Sequence, residues 1–255
     1  MSSTRRLEVG QAITLHARLT PGFEDRLARA LSLLREAAAD HPGTVVQSTS
    51  LGVEGMVITD LIARHDLAVD VATLDTGMLH EETLALVERT QARYGLKVQV
   101  FRPGEEATLH FVREHGKDAM YRSVELRKAC CATRKLEPMK RLLAGRTAWI
   151  TGLRREQSED RADVPYRERA ADGREKFYPL ADWTEADVWH YVLRFDVPYN
   201  PLHDRFYPSI GCAPCTRAIS LGEDHRAGRW WWEQEGAREC GLHTHALSET
   251  LGALR

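Results

Sequence analysis

Apolar and polar positions follow two different patterns along the first part of the chain, one with helical periodicity and one of short apolar runs. Between residues 22 and 39 the apolar side chains recur at helical spacing with charged residues between them, which predicts an amphipathic helix. Short apolar runs bounded by turn residues predict buried strands, and a helical pattern over residues 80–94 separates the second strand from the third. The predicted strands cover residues 44–47, 69–74, 97–102 and 148–152.

Strands that alternate with helices of this length are typical of a parallel sheet with helices on both faces. We therefore predict an α/β fold, a single Rossmann-like domain built on a parallel sheet. Ligands of such folds bind at the carboxyl ends of the strands. The loops expected to carry function follow the first, second and fourth strands, at residues 48–52, 75–77 and 152–161.

The pattern changes in the second half of the chain. Residues 164–183 are mostly polar and charged around Gly173, which predicts a hairpin or a surface excursion, and residues 184–195 predict a helix. Several prolines after this helix predict an irregular loop that leads to residues 211–216. We expect the hydrophobic core to have largely ended by the end of the helix at 184–195.

Composition narrows the class of protein. The chain has 255 residues, 43% of them hydrophobic, which is enough for one domain with appendages. A formal net charge of -2 gives no general attraction to nucleic acid or to anionic membranes, so neither is expected as a partner. No apolar run approaches the roughly 20 residues of a membrane span, and residues 1–6 precede no apolar signal core. We expect a cytoplasmic protein.

Four of the five cysteines form two pairs. Cys130 and Cys131 are adjacent, whereas Cys212 and Cys215 make a C-x-x-C motif. Four thiolates can complete one metal site or one iron–sulfur cluster. Adjacent thiolates are awkward for a tetrahedral zinc ion but suit a cubane, in which each thiolate binds a different iron; zinc stays the alternative. Cys240 is left over and is expected to carry chemistry.

Candidate anion-binding residues follow two of the predicted strands. Ser48 and Ser50 lie where strand becomes helix, and the free N–H groups of such a turn suit a phosphate, although serine is also an ordinary helix cap. Arg154, Arg155 and Arg161 follow the fourth strand, where guanidinium groups can clamp phosphate or sulfate. The alternative is a solvated loop whose acidic residues neutralise the arginines.

Further cations lie near the cysteines and near the C-terminus. Lys135 follows the adjacent cysteines closely enough to reach a substrate anion beside them. Arg226 and Arg229 are three apart on a possible helical turn, which predicts a second anion clamp. The three tryptophans at residues 230–232 cannot all face one way, and core packing is the expectation for them.

Together these motifs resemble the assimilatory adenosine 5′-phosphosulfate (APS) reductases, within the wider phosphoadenosine phosphosulfate (PAPS) and APS reductase family. The resemblance covers about residues 44–243 in order. It rests on the two cysteine pairs, on the TGLRREQSEDR loop and on the late Glu-Cys-Gly-Leu-His. It implies a fold of the adenine nucleotide alpha hydrolase or ATP pyrophosphatase type, ending in a C-terminal catalytic tail.

The resemblance also implies a cofactor and a reaction. One [4Fe–4S] cluster would be bound by Cys130, Cys131, Cys212 and Cys215. Cys240 would attack the sulfur of APS, leaving a cysteine S-sulfonate that thioredoxin resolves to sulfite. Substrate contacts are expected from Ser48, Ser50, Lys135, Arg161, Arg226, Arg229 and His243. The usual Ser-Gly-Gly-x-Asp-Ser loop of ATP pyrophosphatases reads Ser-Thr-Ser-Leu-Gly-Val-Glu here, which favours a nucleotide already activated by sulfate over ATP cleavage.

Two other functions and the domain boundaries complete the expectations. A PAPS reductase would differ only in its substrate, and a cluster-bearing RNA thiolase would need the ATP loop that is altered here. We predict an N-terminal helical segment at 1–43, an α/β domain that binds nucleotide and cluster at 44–220, and a C-terminal segment at 221–255 that carries Cys240. The oligomeric state stays open between a monomer and a homo-oligomer.

Overall fold

Six strands form the centre of the protein in the computed structural model, which describes residues 11–220 and 222–233. The strands are β1 (Val45–Thr49), β2 (Asp70–Leu74), β3 (Val98–Phe101), β4 (Ala148–Ile150), β5 (Arg167–Arg169) and β6 (Glu175–Phe177). They make one sheet in the order β3-β2-β1-β4-β6-β5. Every neighbouring pair is parallel except β5 with β6. The predicted α/β fold with a parallel sheet is therefore confirmed.

Eight α-helices accompany the sheet in the described residues. They are α1 (Ala12–His16), α2 (Phe23–Asp40), α3 (Val53–Arg64), α4 (Glu81–Tyr94), α5 (Glu105–His115), α6 (Val124–Cys131), α7 (Glu137–Leu142) and α8 (Glu185–Phe195). The strands and helices expected from the sequence pattern are present, with ends that differ by two residues at most. Within the described ranges, no helix is both long and apolar enough to cross a membrane.

The two faces of the sheet bury alternate residues of each strand, as the period of two requires. Val45 packs in a large core cluster with residues of α2, α3 and α8, whereas its neighbour Val46 packs with Met139 of α7 on the opposite face. Ile150 and Trp149 of β4 divide between the same two faces. Both faces are therefore covered, and polar ligands can reach the sheet only at its ends.

The hydrophobic core includes the segment that was predicted as a hairpin or a surface excursion. The predicted hairpin exists as β5 and β6, but β6 also pairs with β4 and so continues the central sheet. Phe177, Leu180, Trp183 and Tyr191 are at most 1% exposed in the main core. The sequence concealed this because β6 is three residues long and only its last residue, Phe177, is both apolar and buried.

The N-terminal helices pack on the same core as the sheet. Phe23, Ala30 and Leu34 of α2 are at most 1% exposed in the cluster that contains β1 and α3. A hydrogen bond of 2.8 Å from Ala12 N–H to the Asp204 carboxylate links α1 to the loop after α8. The described residues of the N-terminal segment thus belong to one core, and the division of the chain at residues 43 and 220 stays a prediction.

Candidate active site

A cavity of about 240 Å³ opens at the carboxyl ends of the central strands. The loops after β1, β2 and β4 contribute to its wall, together with the segment after α6 and residues from the ranges 208–212 and 225–230. Most of the polar residues predicted from the sequence meet in it. Those that line the cavity are Ser48, Ser50, Lys135, Arg161, Cys212, Arg226 and Arg229.

The loop after β1 forms a tight turn into α3. Thr49 Oγ1 accepts a hydrogen bond from Leu51 N–H at 2.9 Å, and Leu51 adopts a φ of 59°. Gly55 lies so close to Thr49 that a Cβ there would stand 2.2 Å from Thr49 Oγ1, so the close approach of helix and strand requires glycine. Ser48 Oγ accepts a hydrogen bond of 2.6 Å from the Trp149 indole, which fixes this hydroxyl at the cavity wall.

The loop after β4 does not form the predicted clamp of three arginines. Arg154 is 2% exposed and is bound to Glu54 at 3.0 Å. Arg155 donates a hydrogen bond to the Val164 carbonyl at 2.8 Å. Of the three, Arg161 lines the cavity. Arg154 also pairs with Glu156 of the same loop at 2.7 Å, as the alternative of neutralised arginines predicts. Its other acidic partner, Glu54, lies on α3 about a hundred residues earlier, where no local pattern could have shown it.

Glu54 organises this side of the cavity. Burial raises the pKa of its carboxyl, but the opposing charge and hydrogen bond of Arg154 outweigh burial and hold the pKa below its usual value. Gln157 Nε2 donates to Glu54 Oε1 at 3.0 Å, and Gln157 Oε1 accepts from Arg161 Nη1 at 2.5 Å. A continuous set of polar contacts therefore runs from buried Arg154 to Arg161 and orients the cation at the cavity.

The adjacent cysteines end α6, and a π-helical turn follows them at once (Ala132–Leu136). Such wide turns interrupt helices mostly at functional sites, because they redirect side chains. Here the turn carries Arg134, whose Nη1 donates to the Thr76 carbonyl at 2.9 Å, and Lys135, which lines the cavity. The predicted proximity of Lys135 to both the cysteines and the cavity has this turn as its structural basis.

Three of the four paired cysteines pack together. Cys130, Cys212 and Cys215 are each at most 7% exposed within one buried cluster, Cys131 is half-buried, and none of the four forms a disulfide bond with another described residue. Thr76 Oγ1 lies 3.2 Å from Cys212 Sγ. Burial, reinforced by the neighbouring Cys212, raises the pKa of Cys215 to about 11. Among the described residues, no three His, Cys, Asp or Glu side chains converge on a single metal ion.

The residues around the thiols suit a thiolate-bound cluster. Trp230 belongs to the same buried group, and its indole Nε1 is buried without a hydrogen-bond partner. Such an orphaned donor next to thiolates can bind a sulfur acceptor. The charges of Lys135 and Arg229 act on Cys215 and lower its pKa, against the larger effect of burial. The donor set, the unsatisfied N–H and the cations fit a [4Fe–4S] cluster on Cys130, Cys131, Cys212 and Cys215.

Arg226 and Arg229 both line the cavity, but not from one helical turn as predicted. The Arg226 carbonyl accepts a hydrogen bond of 2.8 Å from Arg229 N–H, which closes a turn. Arg229 also makes an isolated antiparallel bridge with Thr216. The Arg229 guanidinium lies beside Gly211, where an added Cβ would stand 2.4 Å from its Nη2. The backbone at Gly211, next to the C-x-x-C motif, therefore packs directly against the Arg229 side chain.

We expect Gly211→Ala to weaken substrate binding through this contact. The new methyl group must displace the Arg229 guanidinium, since Arg229 is 8% exposed with little room to yield elsewhere. Affinity for an anionic nucleotide is expected to fall about tenfold, the scale of one charge-assisted hydrogen bond. Isothermal titration would measure it, with Gly104→Ala as a glycine control outside the cavity lining, where an added Cβ meets nothing within 4 Å. Unchanged affinity in Gly211→Ala would contradict the role given to Arg229.

The three consecutive tryptophans point into different surroundings, as expected for neighbouring residues. Trp230 is 1% exposed and lines the cavity, which confirms the expected core packing for this residue. Trp231 is 37% exposed, and Trp232 packs edge-on against Tyr121 with ring centroids 4.5 Å apart.

His203 also lines the cavity and was missed by the sequence reasoning. It lies in a short 3₁₀ turn (Pro201–Arg205) within the proline-rich loop, and a single histidine in such a loop gives no recognisable signal. Its Nε2 is buried without a partner. Burial lowers the pKa of His203 to about 4, so its imidazole is neutral at pH 7.

His203 makes the protein less stable in mild acid. The unfolded chain gains a proton on this residue as the pH falls below about 6.5, whereas the folded protein resists it down to about 4. The free energy of unfolding is therefore expected to fall by about 2 kcal/mol between pH 7 and pH 5 from this group alone. Urea unfolding of wild type and His203→Leu at both pH values would measure it. Equal pH dependence of the two proteins would refute the assignment.

Two predicted residues, Cys240 and His243, lie outside the described residues. Their roles stay predictions from the sequence.

The fold and the cavity define a class of protein: an α/β protein with a cation-lined cavity at the carboxyl ends of parallel strands, beside clustered thiols. A family profile described as the phosphoadenosine phosphosulfate reductase domain matches residues 44–218. The chain belongs to this family.

Named relatives agree with the family. The chain is 52% identical over 225 residues to an adenosine 5′-phosphosulfate reductase of Allochromatium vinosum, covering 88% of each chain. It is 50% identical over 231 residues to another from Burkholderia cepacia, covering 90% of this chain and 92% of that one. These relatives span nearly the whole protein.

Solved structures support the fold. The phosphoadenylyl-sulfate reductase of Candida auris, in a phosphate complex, is 29% identical and superposes with a TM-score of 0.63 over 77% of this chain and 97% of that one. FMN adenylyltransferase of Candida glabrata has a TM-score of 0.52 over 93% of this chain and 79% of its own, at 13% identity, and therefore shares the fold alone.

Proposed function

We propose that this protein reduces adenosine 5′-phosphosulfate to sulfite and AMP in sulfate assimilation. The observation that carries the proposal is the meeting of Lys135, Arg161, Arg226 and Arg229 in one cavity that Cys212 also lines. These cations come from three separate parts of the chain, and they provide the positive charge that a sulfated nucleotide needs. The names of the relatives at about 50% identity point to the same substrate.

The cavity wall offers a suitable surface to each part of APS. Leu74, Leu79 and Met139 provide an apolar surface for the adenosine, and the fixed hydroxyl of Ser48 provides a polar contact. Lys135 and Arg229 lie towards the cysteines, where their charges act on Cys215. We place the sulfo group of APS at this end, because paired donors on planar guanidinium groups match its oxygens.

In the first step, the Cys240 thiolate attacks the sulfur atom of the sulfo group. A sulfur–sulfur bond forms as the bond from sulfur to the bridging phosphate oxygen breaks, and AMP leaves with the electron pair. The product on the protein is a cysteine S-sulfonate. Lys135, Arg161, Arg226 and Arg229 screen the repulsion between the anionic thiolate and the anionic substrate and stabilise the charge that moves onto AMP. His243 helps to keep the Cys240 thiol deprotonated.

In the second step, a thiolate of reduced thioredoxin attacks the Cys240 sulfur. Sulfite leaves with the electron pair, and a mixed disulfide forms. The second thioredoxin thiol then attacks that disulfide, which frees Cys240 and leaves oxidised thioredoxin. The two electrons that convert the sulfo group to sulfite therefore come from the partner dithiol.

The four paired cysteines hold a [4Fe–4S] cluster in this proposal. Such a cluster would supply a fixed electrostatic environment beside the sulfo group and no electrons to turnover, since every iron carries a cysteine ligand. The unsatisfied Trp230 indole N–H and the Thr76 hydroxyl, 3.2 Å from Cys212 Sγ, support this assignment.

The second candidate function is PAPS reduction, which the likeness to the Candida auris enzyme favours. The rate of sulfite production from each nucleotide distinguishes the two candidates. Protein purified without oxygen would be given APS or PAPS with a reduced thioredoxin, and sulfite would be measured for each. We expect turnover with APS to exceed turnover with PAPS, together with four iron and four sulfide per chain. Preference for PAPS, or protein with no iron, would overturn the proposal.

A further inference from the structure

A buried ion pair joins the helix of the adjacent cysteines to the end of the described chain. Arg127 lies on α6, three residues before Cys130, with its side chain 1% exposed. It donates two hydrogen bonds to the Glu233 carboxylate, from Nε at 2.9 Å and from Nη2 at 2.8 Å. The Glu233 side chain is 3% exposed. Both charges are thus withdrawn from solvent and held in one geometry.

Trp230 connects this pair to the cavity. Its carbonyl accepts a hydrogen bond of 2.8 Å from Glu233 N–H, and its own N–H donates to the Cys215 carbonyl at 3.3 Å. The guanidinium carbon of Arg127 lies 4.6 Å from the centre of the Trp230 ring, and that of Arg229 lies 4.7 Å from the same ring. The indole is therefore the shared support of the buried ion pair and of a cavity cation.

The backbone at Trp230 needs external support. Its φ of 44° lies in the left-handed region, which is costly for a bulky side chain and persists only where the surroundings determine it. A buried ion pair contributes little net stability, because desolvation offsets the attraction of its charges. Its fixed bidentate geometry can nevertheless specify one arrangement of the groups packed against it.

We infer that Arg127 and Glu233 are positioning residues for substrate binding. They hold Trp230, and through it Arg229, at the end of the cavity nearest Cys215, where the sulfo group of APS binds. Neither residue contacts the substrate. This inference rests on the proposed function, because it assigns the supported cation to the sulfo group.

The double variant Arg127→Met/Glu233→Leu tests this role. It removes both charges while keeping apolar side chains in the buried space, a replacement that often leaves stability unchanged. We expect its affinity for APS to fall about tenfold or more, because Arg229 loses its support. Its affinity for AMP, which lacks the sulfo group, is expected to stay near the wild-type value. Isothermal titration with both nucleotides would give the ratio, which a merely structural role would not change.

Two further variants make the comparison specific. Glu233→Gln keeps the shape of the side chain but leaves Arg127 uncompensated, so the same loss of APS selectivity is expected; this variant also carries the test if the double variant does not fold. Asp187→Asn breaks another buried ion pair, with Arg26 at 3.0 Å, away from the cavity lining. It is expected to lower the free energy of unfolding and to leave the APS-to-AMP affinity ratio unchanged.

A wild-type ratio of the APS and AMP affinities in the folded double variant, or in Glu233→Gln, would overturn the inference. Loss of iron with an unchanged affinity ratio would also overturn it. The same shift of the ratio in Asp187→Asn would also overturn it, because the effect would then be a general result of destabilisation. Failure of the wild-type protein to bind APS more tightly than AMP would instead contradict the proposed function.

Discussion

Cys240→Ser should abolish formation of the S-sulfonated protein and lower sulfite production by about 10⁴-fold or more, the scale seen when a nucleophile is removed. A serine hydroxyl is a far weaker nucleophile than a thiolate at neutral pH, and it cannot be released by a dithiol. Incubation of the variant with APS, followed by intact-protein mass spectrometry, would detect the adduct directly.

The matched control is Thr244→Ala, four residues further along the same C-terminal segment. It should form the adduct at the wild-type rate. The iron content of Cys240→Ser should equal that of wild type, because the four other cysteines are intact. A stable protein–sulfite adduct in Cys240→Ser would show that another residue is the nucleophile.

Cys212→Ser is expected to lose most of its iron and to lower sulfite production by about a hundredfold. Cys212 is 6% exposed beside the Thr76 hydroxyl and lines the cavity, so its removal alters both the cluster and the substrate surface. Iron and acid-labile sulfide analysis and the visible absorption spectrum would measure the loss. Ala213→Ser, in the same turn, keeps all four thiols and should keep its iron. Full iron content in Cys212→Ser would contradict the assigned ligand set.

The sequence predicted the fold because its first half obeys local rules. The two-residue alternation that sends Val45 and Val46 to opposite faces, and the helical spacing of α2, are visible in any window of the chain. The last parallel strand was not visible. Polar residues dominate β6, and the apolar side chains that extend the core, such as Leu180 and Trp183, come after it.

The site was predictable in its residue types but not in its pairings. The family resemblance implies substrate contacts from Lys135, Arg161, Arg226 and Arg229, and all four line the cavity. Position and charge alone do not separate Arg154 from Arg161, because the difference depends on Glu54 reaching Arg154 across the fold. Buried partners such as Arg127 and Glu233 are likewise 106 positions apart in sequence, a distance at which charge patterns carry no information.

The cavity cations come from segments that are distant along the chain, so the binding site exists only while the π-helical turn after α6, the loop after β4 and residues 225–230 are all folded. Opening any one of them dismantles the site, and a bound nucleotide therefore opposes each of these local openings as well as global unfolding. At a concentration a hundredfold above its dissociation constant, such a ligand adds about 2.7 kcal/mol to the free energy of unfolding of the protein. Substrate supply thus acts as a folding cofactor for this protein, and a shortage of the nucleotide would shorten its lifetime as well as slow its reaction.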